Sequence, residues 1–268
     1  MRLSIITINY NNRDGLKRTI DSVVSQTFKD FEWIVIDGGS TDGSRELIEQ
    51  YADHFAYWVS EPDKGIYNAM NKGIKKAHGE YLQFLNSGDW LSDENVLQDF
   101  AKAGFAADIV DGDIHLIYDN REVDAPAPER VDFNYMVHHG TIWHPCAFIK
   151  KVLFEKCGYY NEAYRIISDW EFFMKSVVLH NASYEHFKRI VACFPVDGIS
   201  ATNDKEQIEG VRESLLRVMP ESALEAYMSL AIENKELRKT KNEYDNLKNG
   251  RFGPIIRLLL LIKGKKKK

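Results

Sequence analysis

The stretch EYLQFLNSGDWL (residues 80–91) decides how the rest of the chain is read. Tyr81, Leu82, Phe84 and Leu85 form an almost continuous apolar run, as in a strand buried on both faces of a parallel sheet. Asn86, Ser87, Gly88 and Asp89 then end it in a small polar turn carrying one carboxylate. In open α/β sheets, ligands bind at the carboxyl ends of the strands, so Asp89 is a functional candidate.

The neighbouring sequence supplies the rest of such a sheet. LSIITINY (3–10) and FEWIVID (31–37) are further buried strands, and YWVSE (57–61) is a shorter one. Between them GLKRTIDSVVSQT places Leu16, Ile20, Val23 and Val24 at helical spacing. RELIEQYADHF and GIYNAMNKGIKKAHG supply two more helices, the second closed by Gly79. This alternation predicts an α/β, Rossmann-like, mostly parallel central sheet with flanking helices. After residue 100 the rhythm loosens. ADIVDGDIHLIY (107–118) reads as one strand or a bent pair, REVDAPAPERVD as a Pro-containing loop, and HHGTIWHPCAFIKKVLFEKCGYY and SDWEFFMKSVVLH as helical pieces. Residues 221–249 are charged and helical, with Leu230, Leu237 and Tyr244 seven apart. The expected organisation is one half of an α/β domain over 1–100, a second half of the same domain over 101–215 and a helical extension over 216–268.

At 268 residues, with 44% hydrophobic and 28% charged, the chain has the composition of a soluble globular protein with a sizeable core. The net charge of −5 hides an asymmetry, because RFGPIIRLLLLIKGKKKK (251–268) carries seven Lys and Arg and no acid. The preceding 250 residues hold 28 basic against 40 acidic side chains, a poor surface for nucleic acid. Cys146, Cys157 and Cys193 show no C-x-x-C spacing and are odd in number, which points to reduced thiols in a cytoplasmic setting. The N-terminus enters a strand without a signal-peptide core, and no apolar run is long enough to span a bilayer.

Each N-terminal strand ends in polar residues: Thr7, Asn9 and Asn11, then Asp37 with Gly38, Gly39 and Ser40, then Glu61 and Asp63, then Asn86 and Asp89. Such residues make turns and cap helices, but four such clusters at one sheet edge suit nucleotide binding. A strand-end carboxylate can accept the imide N–H of a uracil. DGGSTDGS lacks G-x-G-x-x-G spacing, and no P-loop is present. A lone Asp beside a diphosphate suits a hard divalent cation, which needs only one or two protein carboxylates.

SIITINYNN, QTFKDFEWIVIDGGSTDGS, EPDKGIYNAMNKGIKKAHGEYLQFLNSGDWL and GYYNEAYRIISDWEFF resemble, in order and spacing, the inverting family 2 glycosyltransferases of bacterial surface polysaccharides. The resemblance covers roughly residues 1 to 200. It implies the GT-A fold, with Thr7, Asn9, Tyr10 and Asp37 lining the nucleoside pocket and Asp63 nearby. Asn86 and Ser87 are expected at the nucleotide, and Asp89 as the ligand of Mn2+ or Mg2+. Where the family often reads D-x-D-D this chain has Asn86, Ser87, Gly88 and Asp89, and Gly38 replaces a second acid beside Asp37. A literal D-x-D, Asp111 and Asp113, competes as a metal site or forms a turn; Asp113 could also face the acceptor.

Inverting transfer requires a carboxylate that takes the proton from the attacking hydroxyl. By resemblance, the acid of the S-D-W block, Asp169, is that base; the same residues would also start a helix. Trp170 could stack on a sugar, and His144 could contact the acceptor or diphosphate. The basic aliphatic tail suits a membrane surface, so the expected setting is peripheral, on the cytoplasmic face of the cell membrane. The expected partners are a nucleotide-sugar donor, most simply a UDP-sugar, and a glycan or lipid-linked sugar acceptor, with a homodimer possible. A sugar nucleotidyltransferase and a non-catalytic nucleotide- or sugar-binding module are the other readings.

Overall fold

The computed structural model describes residues 3–138, 140–196 and 204–249. Four parallel strands, β1 (Leu3–Asn9), β2 (Phe31–Asp37), β3 (Tyr57–Ser60) and β4 (Tyr81–Phe84), lie in the order β3-β2-β1-β4. Every residue of β1 and β4 is buried, as their unbroken apolar runs require. Helices α1 (Arg13–Val24), α2 (Ser44–Gln50) and α3 (Ile66–Lys76) connect them. α1 buries Leu16, Ile20 and Val23, the stripe expected from its spacing, and the Asn12 side chain caps it by accepting from the Gly15 N–H. α3 lies so close to β1 that a Cβ at Gly73 would stand 2.5 Å from Ile6 Cγ2.

Beyond β4 the sheet turns mixed, continuing through β8 (Ala147–Lys150), β6 (Ile109–Tyr118), β9 (Tyr184–Pro195) and the two-residue β5 (Trp90–Leu91). β8 runs antiparallel to β4 and β6, while β9 runs parallel to β6. The sheet is thus parallel in its N-terminal half, as expected, and mixed in the other half. Two elements differ from the sequence reading. AFIK is β8 inside a stretch read as helical, because four residues are too few to display a period. REVDA is β7 (Arg121–Ala125) within the expected loop, pairing the edge of β6 while His115 meets Asp124 at 2.6 Å and Glu122 at 3.2 Å across the ladder.

The remaining helices are α4 (Val96–Ala103), α5 (Phe133–His138), α6 (Val152–Cys157), α7 (Ser168–Phe173), α8 (Asp204–Leu216) and α9 (Glu221–Asn249). A turn of π-helix, Met174–Leu179, follows α7. Cys146 and Cys193 are buried free thiols and Cys157 is half-buried.

Met1–Val211 and Arg212–Lys268 are two compact units. The second contains α9, as expected over 221–249, on which Leu230, Leu237 and Tyr244 are exposed. The basic tail, 251–268, lies outside the described residues. Among the described residues no helix is long and apolar enough to cross a membrane.

Candidate active site

Register places Asn9, Asp37 and Ser60 side by side where β1, β2 and β3 end. Asp37 is fully buried and its carboxylate is saturated. Asn9 Nδ2 (2.7 Å) and Ser40 Oγ (2.6 Å) donate to one oxygen; Ser60 Oγ (2.6 Å) and the Ser40 N–H (3.0 Å) donate to the other. Burial pushes this carboxyl up, but the Ser40, Ser60 and Asn9 donors hold it below the usual carboxylate range. Asp37 therefore ties three strand ends together. Thr7 likewise turns into the core, where its hydroxyl accepts the Trp33 indole N–H at 3.0 Å. Both were expected to line the nucleoside pocket; the structure spends their polar atoms on the protein itself.

The groups that face outward at this edge are Tyr10 and Asp63. Tyr10 is 66% exposed. A Cβ at Gly38 would lie 2.6 Å from Asp63 Oδ2 and 3.1 Å from the Tyr10 ring, so the missing side chain at 38 brings these two together. Asp63 Oδ1 accepts the Gly65 N–H at 2.9 Å, which fixes the loop ahead of α3. Asn9 presents a buried Oδ1 with no hydrogen-bond partner at the same edge.

At the end of β4 the turn is held from α1. Thr19 Oγ1 donates to the Asp89 carbonyl (2.7 Å) and accepts the Gly88 N–H (3.1 Å), while Asn12 Nδ2 donates to the Ser87 carbonyl (3.0 Å). Gly88 has φ +109°, a backbone that resists a side chain, which accounts for glycine where the family often carries an acid. Asp89 is buried to 6% exposure, and the Asn86 Oδ1 is buried with no hydrogen-bond partner. A carboxylate and an orphaned amide oxygen are hard donors, so this turn fits a divalent cation. Among the described residues no three His, Cys, Asp or Glu side chains gather as a metal cluster, so phosphate oxygens would complete the coordination.

Asp169 begins α7, the helix start read from S-D-W. The residue before that helix, Ile167, has φ +78°, rare for a β-branched side chain and a strain of the sort found at functional sites. Tyr67, on α3, donates its hydroxyl to Asp169 Oδ1 at 2.9 Å. Tyr67 lies in the first turn of α3, directly after the Asp63–Gly65 loop, so this bond sets Asp169 at the carboxyl edge of the parallel strands.

The acceptor-side expectations fare differently. His144 is buried, stacked 4.6 Å from the Phe84 ring, with Nε2 2.7 Å from the Tyr160 hydroxyl. Burial pulls its pKa down to about 4 against the opposing charge of Asp169, so it packs in the core as a neutral imidazole. Trp170 is also core, its indole N–H donating to the Met136 carbonyl at 2.8 Å, and offers no face for a sugar. Asp113 is occupied by the Ala127 N–H (2.9 Å) and His186 Nε2 (2.7 Å). Burial, with the charge of Asp113, drives Asp111 well above the carboxylate range despite the Tyr184 hydroxyl bond. Asp111 is thus fully buried and Asp113 is engaged by Ala127 and His186.

Sequence reading missed Tyr67, Asn71, Tyr160 and Glu162. Asn71 donates to the Tyr160 carbonyl (2.9 Å) and accepts its N–H (3.1 Å), and Asn68 and Asn71 each bond an oxygen of Glu162. The available signal was an Asn on the apolar face of an amphipathic helix, since Asn71 is only 4% exposed.

The profile of Glycosyl transferase family 2 matches residues 4–162. An uncharacterized glycosyltransferase of Mycobacterium tuberculosis is 34% identical over 182 residues, covering 66% of this chain and 69% of its own. A PGL/p-HBAD biosynthesis glycosyltransferase of Mycobacterium bovis is 31% identical over 175 residues, covering 63% and 67%. Among solved structures, S. aureus TarS 1–349 in complex with UDP is similar with a TM-score of 0.61 at 22% identity. That match covers 73% of this chain, which spans only 61% of the TarS fragment. Mannosyltransferase PcManGT from Pyrobaculum calidifontis, in complex with GDP-Man and Mn2+, is similar with a TM-score of 0.57 at 16% identity, covering 74% and 58%. At such identities the likeness bears on the fold, which is of the GT-A type.

Proposed function

The chain belongs to glycosyl transferase family 2 and is a glycosyltransferase, and we propose that it transfers a sugar with inversion from a UDP-sugar to a glycan or lipid-linked sugar. The observation that carries this reading is the carboxyl edge of the parallel strands, where the turn after β4 holds buried Asp89 and the unpartnered Asn86 Oδ1, and where Tyr67, in the first turn of α3, reaches Asp169. Tyr10 and Asp63 would receive the nucleoside, with the base stacked on the exposed ring and Asp63 accepting its imide N–H. Asp37 would act one step back, holding Asn9 and Ser40 in place. Asp89 and the Asn86 amide oxygen would hold Mn2+ or Mg2+, which supplies neutralisation of the departing diphosphate.

Asp169 takes the proton of the acceptor hydroxyl onto a carboxylate oxygen. As it does so, the acceptor oxygen bonds to the anomeric carbon and the bond from that carbon to the diphosphate breaks. The electron pair leaves with UDP, and attack from the opposite face inverts the anomeric centre. The same fold accompanies UDP in TarS and GDP-Man with Mn2+ in PcManGT, which supports a nucleotide-diphosphate donor. The basic tail supports a peripheral site at an anionic membrane face, where a lipid-linked acceptor would be met.

Thermal shift against UDP, GDP, dTDP and CDP, with and without Mn2+, tests the donor side. The reading expects stabilisation by UDP that requires the cation. Stabilisation indifferent to Mn2+ removes the metal role of Asp89, and no shift with any nucleotide removes the donor assignment.

A further inference from the structure

We propose that Tyr67 is a positioning residue for the base, holding Asp169 by a hydrogen bond from its phenol so that one carboxylate oxygen faces the attacking hydroxyl; this rests on the assignment of Asp169 as base. The Tyr67 hydroxyl donates to Oδ1 at 2.9 Å across 102 residues of sequence. Among the described residues no other hydrogen bond to that carboxylate is formed, so Oδ2 is the oxygen left for the acceptor proton. A carboxylate with two free oxygens rotates about its last side-chain bond; a single fixed donor removes that freedom.

Tyr67 is built to stay where it is and to stay a donor. Its side chain is buried at 6% exposure, and its ring lies 5.6 Å from that of Tyr160, whose hydroxyl is bonded to His144. Burial, then the charge of Asp169 and the hydrogen bond to it, push the phenol far above its ordinary range. It therefore cannot itself accept the acceptor's proton at working pH. Helix α3 is locked to the chain ahead of α7 by the paired Asn71–Tyr160 backbone bonds and by Glu162, which Asn68 and Asn71 grip at 2.8 and 2.9 Å. Ile167, with φ +78°, leads directly into α7 and so into Asp169. Since α3 begins at the Asp63–Gly65 loop, one rigid helix carries contacts to both the donor side and the base.

The test is Tyr67→Phe, which keeps the ring and removes only the hydroxyl, with Tyr160→Phe as a control in the same aromatic layer. One readout is UDP release from UDP-glucose and UDP-N-acetylglucosamine with water as acceptor. The other is independent of activity: carboxyl NMR of protein labelled with 13C-aspartate, the Asp169 resonance assigned by its loss in Asp169→Asn. The proposal expects Tyr67→Phe to lose about tenfold or more in kcat with donor KM kept within about twofold. It also expects the Asp169 carboxyl resonance, at fixed pH, to be displaced in Tyr67→Phe, because the hydrogen bond to Oδ1 has gone, and to be unmoved in Tyr160→Phe. An unmoved resonance in Tyr67→Phe, or an equal displacement in both variants, overturns it. The base assignment fails separately, if Asp169→Asn still releases UDP at the unsubstituted rate.

Discussion

Replacing Asp37 by Asn separates a structural hub from a nucleotide contact. The carboxylate accepts four hydrogen bonds from Asn9, Ser40 and Ser60 while fully buried. Asparagine keeps the shape, but its NH2 must face donors that now face an oxygen. The hydroxyls of Ser40 and Ser60 can rotate to accept; the Ser40 N–H on Oδ2 and the Asn9 Nδ2 on Oδ1 cannot both keep an acceptor when only one oxygen remains. One buried N–H left unsatisfied costs about 1–3 kcal/mol, and turning the surviving bonds from charged to neutral costs about 1 more. The expected loss is therefore about 2–4 kcal/mol, read by urea denaturation of the nucleotide-free protein at pH 7. Acid gives a second signature. The folded carboxyl sits below the 3.8 of its ordinary range, so its stabilisation is complete above about pH 5 and is lost as pH falls through the folded value. In Asp37→Asn that part of the acid loss disappears, while the contributions of Asp42 and Asp108, also lowered, remain. If Asp37→Asn matched the unsubstituted chain within about 0.5 kcal/mol and lost only UDP affinity, the hub argument would be wrong.

Three further outcomes follow from the same geometry. His144→Phe keeps the stack on Phe84 but loses the Tyr160 bond, costing about 1 kcal/mol at pH 7. With a folded pKa of about 4 against 6.5, His144 also makes the unsubstituted chain lose up to roughly 3 kcal/mol as pH falls from 6.5 to 4, a slope that the Phe variant should lack in chemical denaturation. Asp89→Ala should weaken Mn2+-dependent UDP binding by about tenfold or more in calorimetry and leave metal-free binding unchanged; equal affinity with the metal would remove Asp89 as its ligand. Deleting 251–268 removes seven cations, each contributing on the order of 1 kcal/mol near an anionic surface, and should abolish co-sedimentation with phosphatidylglycerol vesicles. A full-length chain that stays in the supernatant would end the membrane reading.

The parallel half of the fold was legible because its strands are buried on both faces, and unbroken runs such as IVID leave no other reading. The rest was less legible for a physical reason. β8 is four residues between a tight turn and a helix, and β7 is a charged edge strand stabilised by cross-strand pairs that appear only once His115 is opposite Asp124. At the site, strand-end polarity located the edge correctly, yet it could not say which polar atoms the protein keeps for itself. Asp37 is consumed by Ser40, three residues on, and by Asn9 and Ser60, 28 and 23 away, and Thr7 by Trp33, 26 away, while Gly38, by lacking a side chain, gives Asp63 its place. His144 and Trp170 have the chemistry of ligand contacts, and burial alone assigns them to the core. Tyr67 was hidden because its partner lies 102 residues away in sequence.

The most direct measurement is Asp169→Asn, with UDP binding in Mn2+ followed by calorimetry and UDP-sugar consumption followed in the same preparation. The account predicts affinity within about twofold of the unsubstituted chain and turnover lower by roughly a thousandfold. Turnover within about tenfold, with binding intact, would contradict Asp169 as the base and with it the mechanism.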